Sequence, residues 1–197
     1  ETGSLRVLDI LSNASATIAE GEVLQLSAMS DLATGEDTYL RIVRGKTAAL
    51  FAAATEVGGV IAGASEDRIR DLHAYGDALG IAFQMADDVL DWLDETGKGM
   101  GDDFRERKMT LPIIRAAAGA EGDEWAFWAR TIGKGQQADG DLERAAALIR
   151  DTGALETTRR TALEWSEEAK KSLESLPDLP LRDMMRDMAD YVVARLR

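Results

Sequence analysis

Cysteine is absent from this chain of 197 residues, which excludes a disulfide framework and any thiolate metal site and agrees with a cytoplasmic location. Histidine is nearly absent as well. His73 stands alone, about three turns before the acidic stretch described below, and reads as ordinary structure rather than a base. Basic residues are scarce, 23 against 36 acidic ones, for a net charge of -13. That balance argues against nucleic acid or an anionic membrane as the main partner. An anionic ligand would have to be captured locally, by particular lysines and a metal. No apolar run reaches transmembrane length, and no signal-peptide pattern opens the chain, which begins at Glu1 rather than Met. There is no run alternating like a strand, no internal repeat and no low-complexity tract. What is present is 45% hydrophobic residues, enough for one sizeable core. The expectation is a single all-α domain over 1–197: a bundle of long, roughly antiparallel helices around a central cavity.

The most informative stretch runs from Phe83 to Trp92. On a helix Gln84, Asp87, Asp88 and Asp91 fall at i, i+3, i+4 and i+7, one continuous face. Ile81, Phe83, Met85, Val89, Leu90, Trp92 and Leu93 cover the remaining circumference. This inverts an ordinary surface helix, because the narrow face is acidic and the broad one needs burial. Carboxylates crowded on such a strip repel one another and resist desolvation, so they call for a cation. With only oxygen donors available, a hard ion such as Mg²⁺ fits best. The other reading is that the strip simply faces water.

The sequel, Asp94 to Lys108, bears glycines and sets Lys98, Lys108, Asp102 and Asp103 beside the acidic face. Carboxylates for Mg²⁺ with lysines nearby make a site for a diphosphate, in which the metal bridges acid to phosphate and ammonium groups take the remaining charge. For each lysine alone, a flexible charged loop is the plainer reading. Thr110 then caps a new helix whose first turn holds Pro112.

Elsewhere the chain reads as successive helices. Ser4 to about Met29 is one long helix with Leu5, Leu8, Leu11, Ile18, Val23, Leu24 and Leu26 as its apolar face, and with Glu22 and Gln25 as a polar pair near its end. Thr34-Gly35-Glu36-Asp37 has the capping-box pattern and opens a short helix through Tyr39, Ile42 and Val43. Arg44-Gly45-Lys46-Thr47 is expected to break it, which would leave Lys46 at the head of an Ala-rich helix to about Ala62, where backbone N–H groups favour an anion. Gly63 closes that helix and Ser65 caps the next, which carries the acidic strip. After Pro112 come a short helix to Ala118, an aromatic-bearing stretch from Glu121 to Gly140, a helix capped by Asp139 or Asp141, and a helix from Ala154 to Leu176. In a last helix the stripe of Leu181, Met184, Met185, Met188 and Val192 reads as core packing.

With these motifs in place the chain resembles the trans-polyprenyl diphosphate synthases. Gln84 to Asp91 is similar to the second aspartate-rich motif of that family, followed by Gly97-Lys98, Gly101 to Asp103 and Lys108 to Pro112. Lys46-Thr47 matches its diphosphate-binding Lys-Thr, and Gly21-Glu22-Val23-Leu24-Gln25-Leu26 is most similar to long-chain synthases that make quinone side chains.

 The resemblance implies an isoprenoid-synthase helical bundle, active as a homodimer, that condenses isopentenyl diphosphate with an allylic prenyl diphosphate. It further implies that Asp87, Asp88 and Asp91 hold Mg²⁺, that Lys46, Lys98 and Lys108 bind diphosphate, and that Thr47 and Gln84 line the reacting centre. The family's first aspartate-rich motif and its isopentenyl diphosphate segment have no counterpart here, and are expected to precede Glu1. Arg107 stands where the family often has Gly.

Overall fold

The computed structural model describes residues 3–93 and 100–196. Among them every regular element is a helix, as expected: α1 (Leu5–Ala28), α2 (Glu36–Val43), α3 (Ala49–Ile61), α4 (Glu66–Leu90), α5 (Asp102–Arg105), α6 (Leu111–Ala118), α7 (Gly122–Trp128), α8 (Asp141–Asp151), α9 (Ala154–Ser172) and α10 (Pro180–Ala194). Two π-wound turns, Arg44–Ala48 and Ala129–Gly133, lie between them.

The centre is α4, packed between α3 and α9 and touched by α2, α6 and α10. It starts where Gly63 turns the chain at φ +64 and Ser65 precedes Glu66 and Asp67, whose charges suit a helix N-terminus. Its second half is buried almost all round, through Leu79, Ile81, Ala82, Met85, Ala86 and Val89. Close approach to α3 depends on glycine: a Cβ on Gly80 would lie 2.5 Å from Ala48 Cα. A second apolar knot, in which Phe104 meets Trp92, Phe127 and Trp128, anchors the segment that follows the acidic strip.

Several local expectations are overturned. The buried face of α1 is Val7, Ala14, Gly21 and Ala28, whereas Leu5, Leu8, Leu11, Val23 and Leu26 are exposed. Small residues win because α1 lies against backbone: a Cβ on Gly21 would meet Lys46 N at 2.4 Å. Arg44 to Thr47 does not break the chain, since π-wound hydrogen bonding carries α2 into α3 without a free helix start. Lys46 therefore has no helix N-terminus beside it. The Thr34 hydroxyl bonds Ala28 O at 3.4 Å rather than capping α2, and Gly140 takes the cap position of α8 while Asp141 pairs with Arg130 at 2.7 Å. On α10, Leu181, Met184 and Met188 are exposed, and Val192 is buried.

Candidate active site

Separate pieces of chain, α1 among them through Gln25 and Ala28, meet at a cavity of about 90 Å³ whose walls include Lys46, Thr47, Gln84, Asp88, Asp103 and Lys108. The π-wound turn supplies Lys46 and Thr47, the last turns of α4 supply Gln84 and Asp88, and the segment around α5 supplies Asp103 and Lys108. A larger groove of about 1060 Å³ on another flank of α1 shares none of these side chains.

Lys46 Nζ lies 3.2 Å from Glu22 Oε1 and donates to Gln25 Oε1 at 3.1 Å, so the polar pair of α1 does reach the site. Lys108 Nζ lies 3.0 Å from Asp103 and 2.7 Å from Glu106. Burial works against its charge, but hydrogen bonds to Glu106 and Asp103 outweigh burial and hold its pKa above the ordinary lysine value. Lys98 lies outside the described residues.

The acidic residues point in different directions. Asp88 is 2% exposed; its Oδ2 accepts from Tyr39 Oη at 2.6 Å and its Oδ1 from Gln84 Nε2 at 3.0 Å. Gln84 Oε1 in turn accepts from Thr47 Oγ1 at 2.9 Å. Burial pushes the Asp88 carboxyl up to about 7, with the charges of Asp103 and Asp87 adding to it against the two hydrogen bonds. Asp91 accepts from the backbone N–H groups of Asp102 and Asp103 at 3.1 and 3.2 Å. Burial, then the charge of Asp103, raise it to about 6. Asp87 accepts from Arg195 Nη2 at 3.0 Å, and the same guanidinium lies 5.9 Å from the centroid of Phe83.

Among the described residues no three carboxylate or imidazole groups converge as a ready metal cage. The chemistry of the donors nonetheless fits a hard divalent cation: all are oxygens, and burial raises two of the carboxyls, whose ionised form a bound cation would favour. Local sequence pattern assigns no role to Tyr39 or Arg195. A tyrosine on a buried helix face needs a partner for its hydroxyl, a signal that was present; nothing local marked Arg195.

The Polyprenyl synthetase profile matches residues 1–149. This chain belongs to the polyprenyl synthetase family. Among its family relatives, the octaprenyl diphosphate synthase of Escherichia coli is 38% identical over 200 residues, 99% of this chain and 61% of the relative. The crystal structure of a decaprenyl diphosphate synthase from Rhodobacter capsulatus is 61% identical with a TM-score of 0.97, covering 100% of this chain and 61% of that one. A polyprenyl synthase from Caulobacter crescentus, crystallised with calcium and isoprenyl diphosphate, is 45% identical with a TM-score of 0.93, covering 98% and 60%. The chain thus spans about 61% of the length of its curated relative. Arg107, at the position where the resemblance expects Gly, has φ 59, a left-handed conformation that glycine adopts without strain.

Proposed function

We propose that this chain carries one wall of the active site of a Mg²⁺-dependent trans-polyprenyl diphosphate synthase, which lengthens an allylic diphosphate with isopentenyl diphosphate to supply a quinone side chain. The observation that carries the reading is the gathering of Lys46, Thr47, Gln84, Asp88 and Lys108 around one cavity, with Asp87 in the last turn of α4 and Asp91 at its C-cap. Lys46 and Lys108, with Lys98, would bind diphosphate oxygens. Asp87 and Asp91, both partly exposed, would hold Mg²⁺, with Asp88, buried and bonded to Tyr39 and Gln84, contributing charge from behind. Bound there, Mg²⁺ supplies charge neutralisation to a departing diphosphate.

The chemistry asks three things of the protein. The allylic C–O bond breaks and its electron pair leaves with diphosphate, which the lysines hold. The alkene of isopentenyl diphosphate then attacks the allylic cation, and the carbon beside the new cationic centre gives up a proton to the released diphosphate, leaving a new double bond. Thr47 and Gln84 face the reacting carbon, and apolar helix surface keeps water from the cation. The working protein would be a cytoplasmic homodimer in which residues beyond this span complete the isopentenyl diphosphate site. No helix among the described residues is long and apolar enough to cross a membrane.

The test is an elongation assay on the product of the intact gene, with Mg²⁺, labelled isopentenyl diphosphate and an allylic primer. Extractable labelled polyprenyl product that disappears with EDTA is expected. Absence of product despite Mg²⁺-dependent diphosphate binding would leave a non-catalytic subunit as the better reading.

A further inference from the structure

The hydrogen bonds behind the cavity form a directed chain, and its direction is fixed from the buried end. Tyr39, on α2 and 4% exposed, donates to Asp88 Oδ2; Gln84 donates its amide N–H to Asp88 Oδ1; Thr47 donates its hydroxyl to Gln84 Oε1. Amide orientation is inferred from partners, and here the partner decides it. An ionised carboxylate only accepts, so Gln84 must turn its NH₂ to Asp88 and its carbonyl to Thr47. A proton placed on Oδ2 would leave Oδ1 an acceptor and Gln84 unchanged. With its proton committed to Gln84, Thr47 can offer only lone pairs to whatever occupies the cavity.

We propose that Tyr39 is a positioning residue: by holding Asp88 it fixes Gln84 and Thr47 with their electron-rich oxygens toward the reacting carbon. This inference rests on the function proposed above. Oxygens presented in this way attract a developing carbocation and repel phosphate oxygen, so they favour one orientation of the allylic substrate. Without the Tyr39 hydroxyl, Asp88 Oδ2 loses its donor in a nearly dry site, and the carboxyl is free to rotate away from Gln84.

The experiment measures, with Mg²⁺ present, the affinity of two analogues of the allylic diphosphate: one with an ammonium nitrogen at the cationic carbon, one neutral and isosteric. In the unaltered protein the ammonium analogue is expected to bind roughly tenfold more tightly. Tyr39→Phe is expected to weaken that analogue about fivefold and the neutral one less than twofold. Equal losses for both would show a merely structural role and overturn the proposal. So would an unaltered protein that shows no preference for the ammonium analogue, a result that needs no variant to fold. If neither analogue binds to the unaltered protein, the diphosphate-site reading itself fails.

Discussion

At the scale of single residues, the site places charges where each is costly alone. In the absence of divalent cation, Asp88 and Asp91 have carboxyls raised by burial, to about 7 and about 6. A carboxyl raised above its unfolded value near ~3.9 stabilises the fold fully below that value and loses the contribution as pH rises through the folded one. With EDTA present, melting temperature should therefore decline between about pH 5 and pH 7.5, and Asp88→Asn should flatten the decline. A melting temperature that rises steadily across this window would contradict the account. Arg107 offers a second test. A β-branched residue tolerates φ 59 poorly, so Arg107→Val should cost about 1–2 kcal/mol in urea unfolding, while Arg107→Gly should cost little.

At the scale of elements, the joint between α1 and the π-wound turn sets where Lys46 sits. Gly21 and Gly45 let the two backbones touch, and a methyl group at Gly21 has nowhere to go. Gly21→Ala should cost about 1–3 kcal/mol and weaken diphosphate binding by displacing Lys46, as urea unfolding and calorimetry would reveal. Unchanged values for both would mean that the contact is loose. This joint also shows why the sequence was only partly legible. The acidic strip was readable because four polar residues at helical spacing interrupt an apolar helix. The buried face of α1 was not, because it consists of Ala, Gly and Val, and large leucines on other faces drew the eye. Gly45 suggests a break where the π-wound turn runs on; the close packing that favours a continuous helix is a tertiary fact. Tyr39 and Arg195 reach the acidic strip from 49 and 108 residues away, beyond any local pattern.

At the scale of the whole molecule, the chain leaves apolar surface uncovered. Leu5, Leu8, Val23 and Leu26 on α1, and Leu181, Met184, Met188 and Tyr191 on α10, are each more than half exposed. Large apolar side chains left exposed in this number favour association. A protein made only of these 197 residues is predicted to self-associate in sedimentation velocity, and Leu8→Glu with Leu26→Glu to reduce it. A monomer with unaltered sequence at high concentration would show that the stripes are harmless. The central claim, however, is that metal and diphosphate meet at the acidic strip. The most direct measurement is isothermal titration of inorganic pyrophosphate into the unaltered protein and into Asp87→Ala, with Mg²⁺ and with EDTA. Asp87 and Arg195 form a pair whose side chains are each 41% exposed, so the substitution should change metal-free stability by less than about 1 kcal/mol. The account predicts binding with Mg²⁺, none with EDTA, and at least a tenfold loss in Asp87→Ala. Equal binding with EDTA, or full affinity in Asp87→Ala, would contradict it.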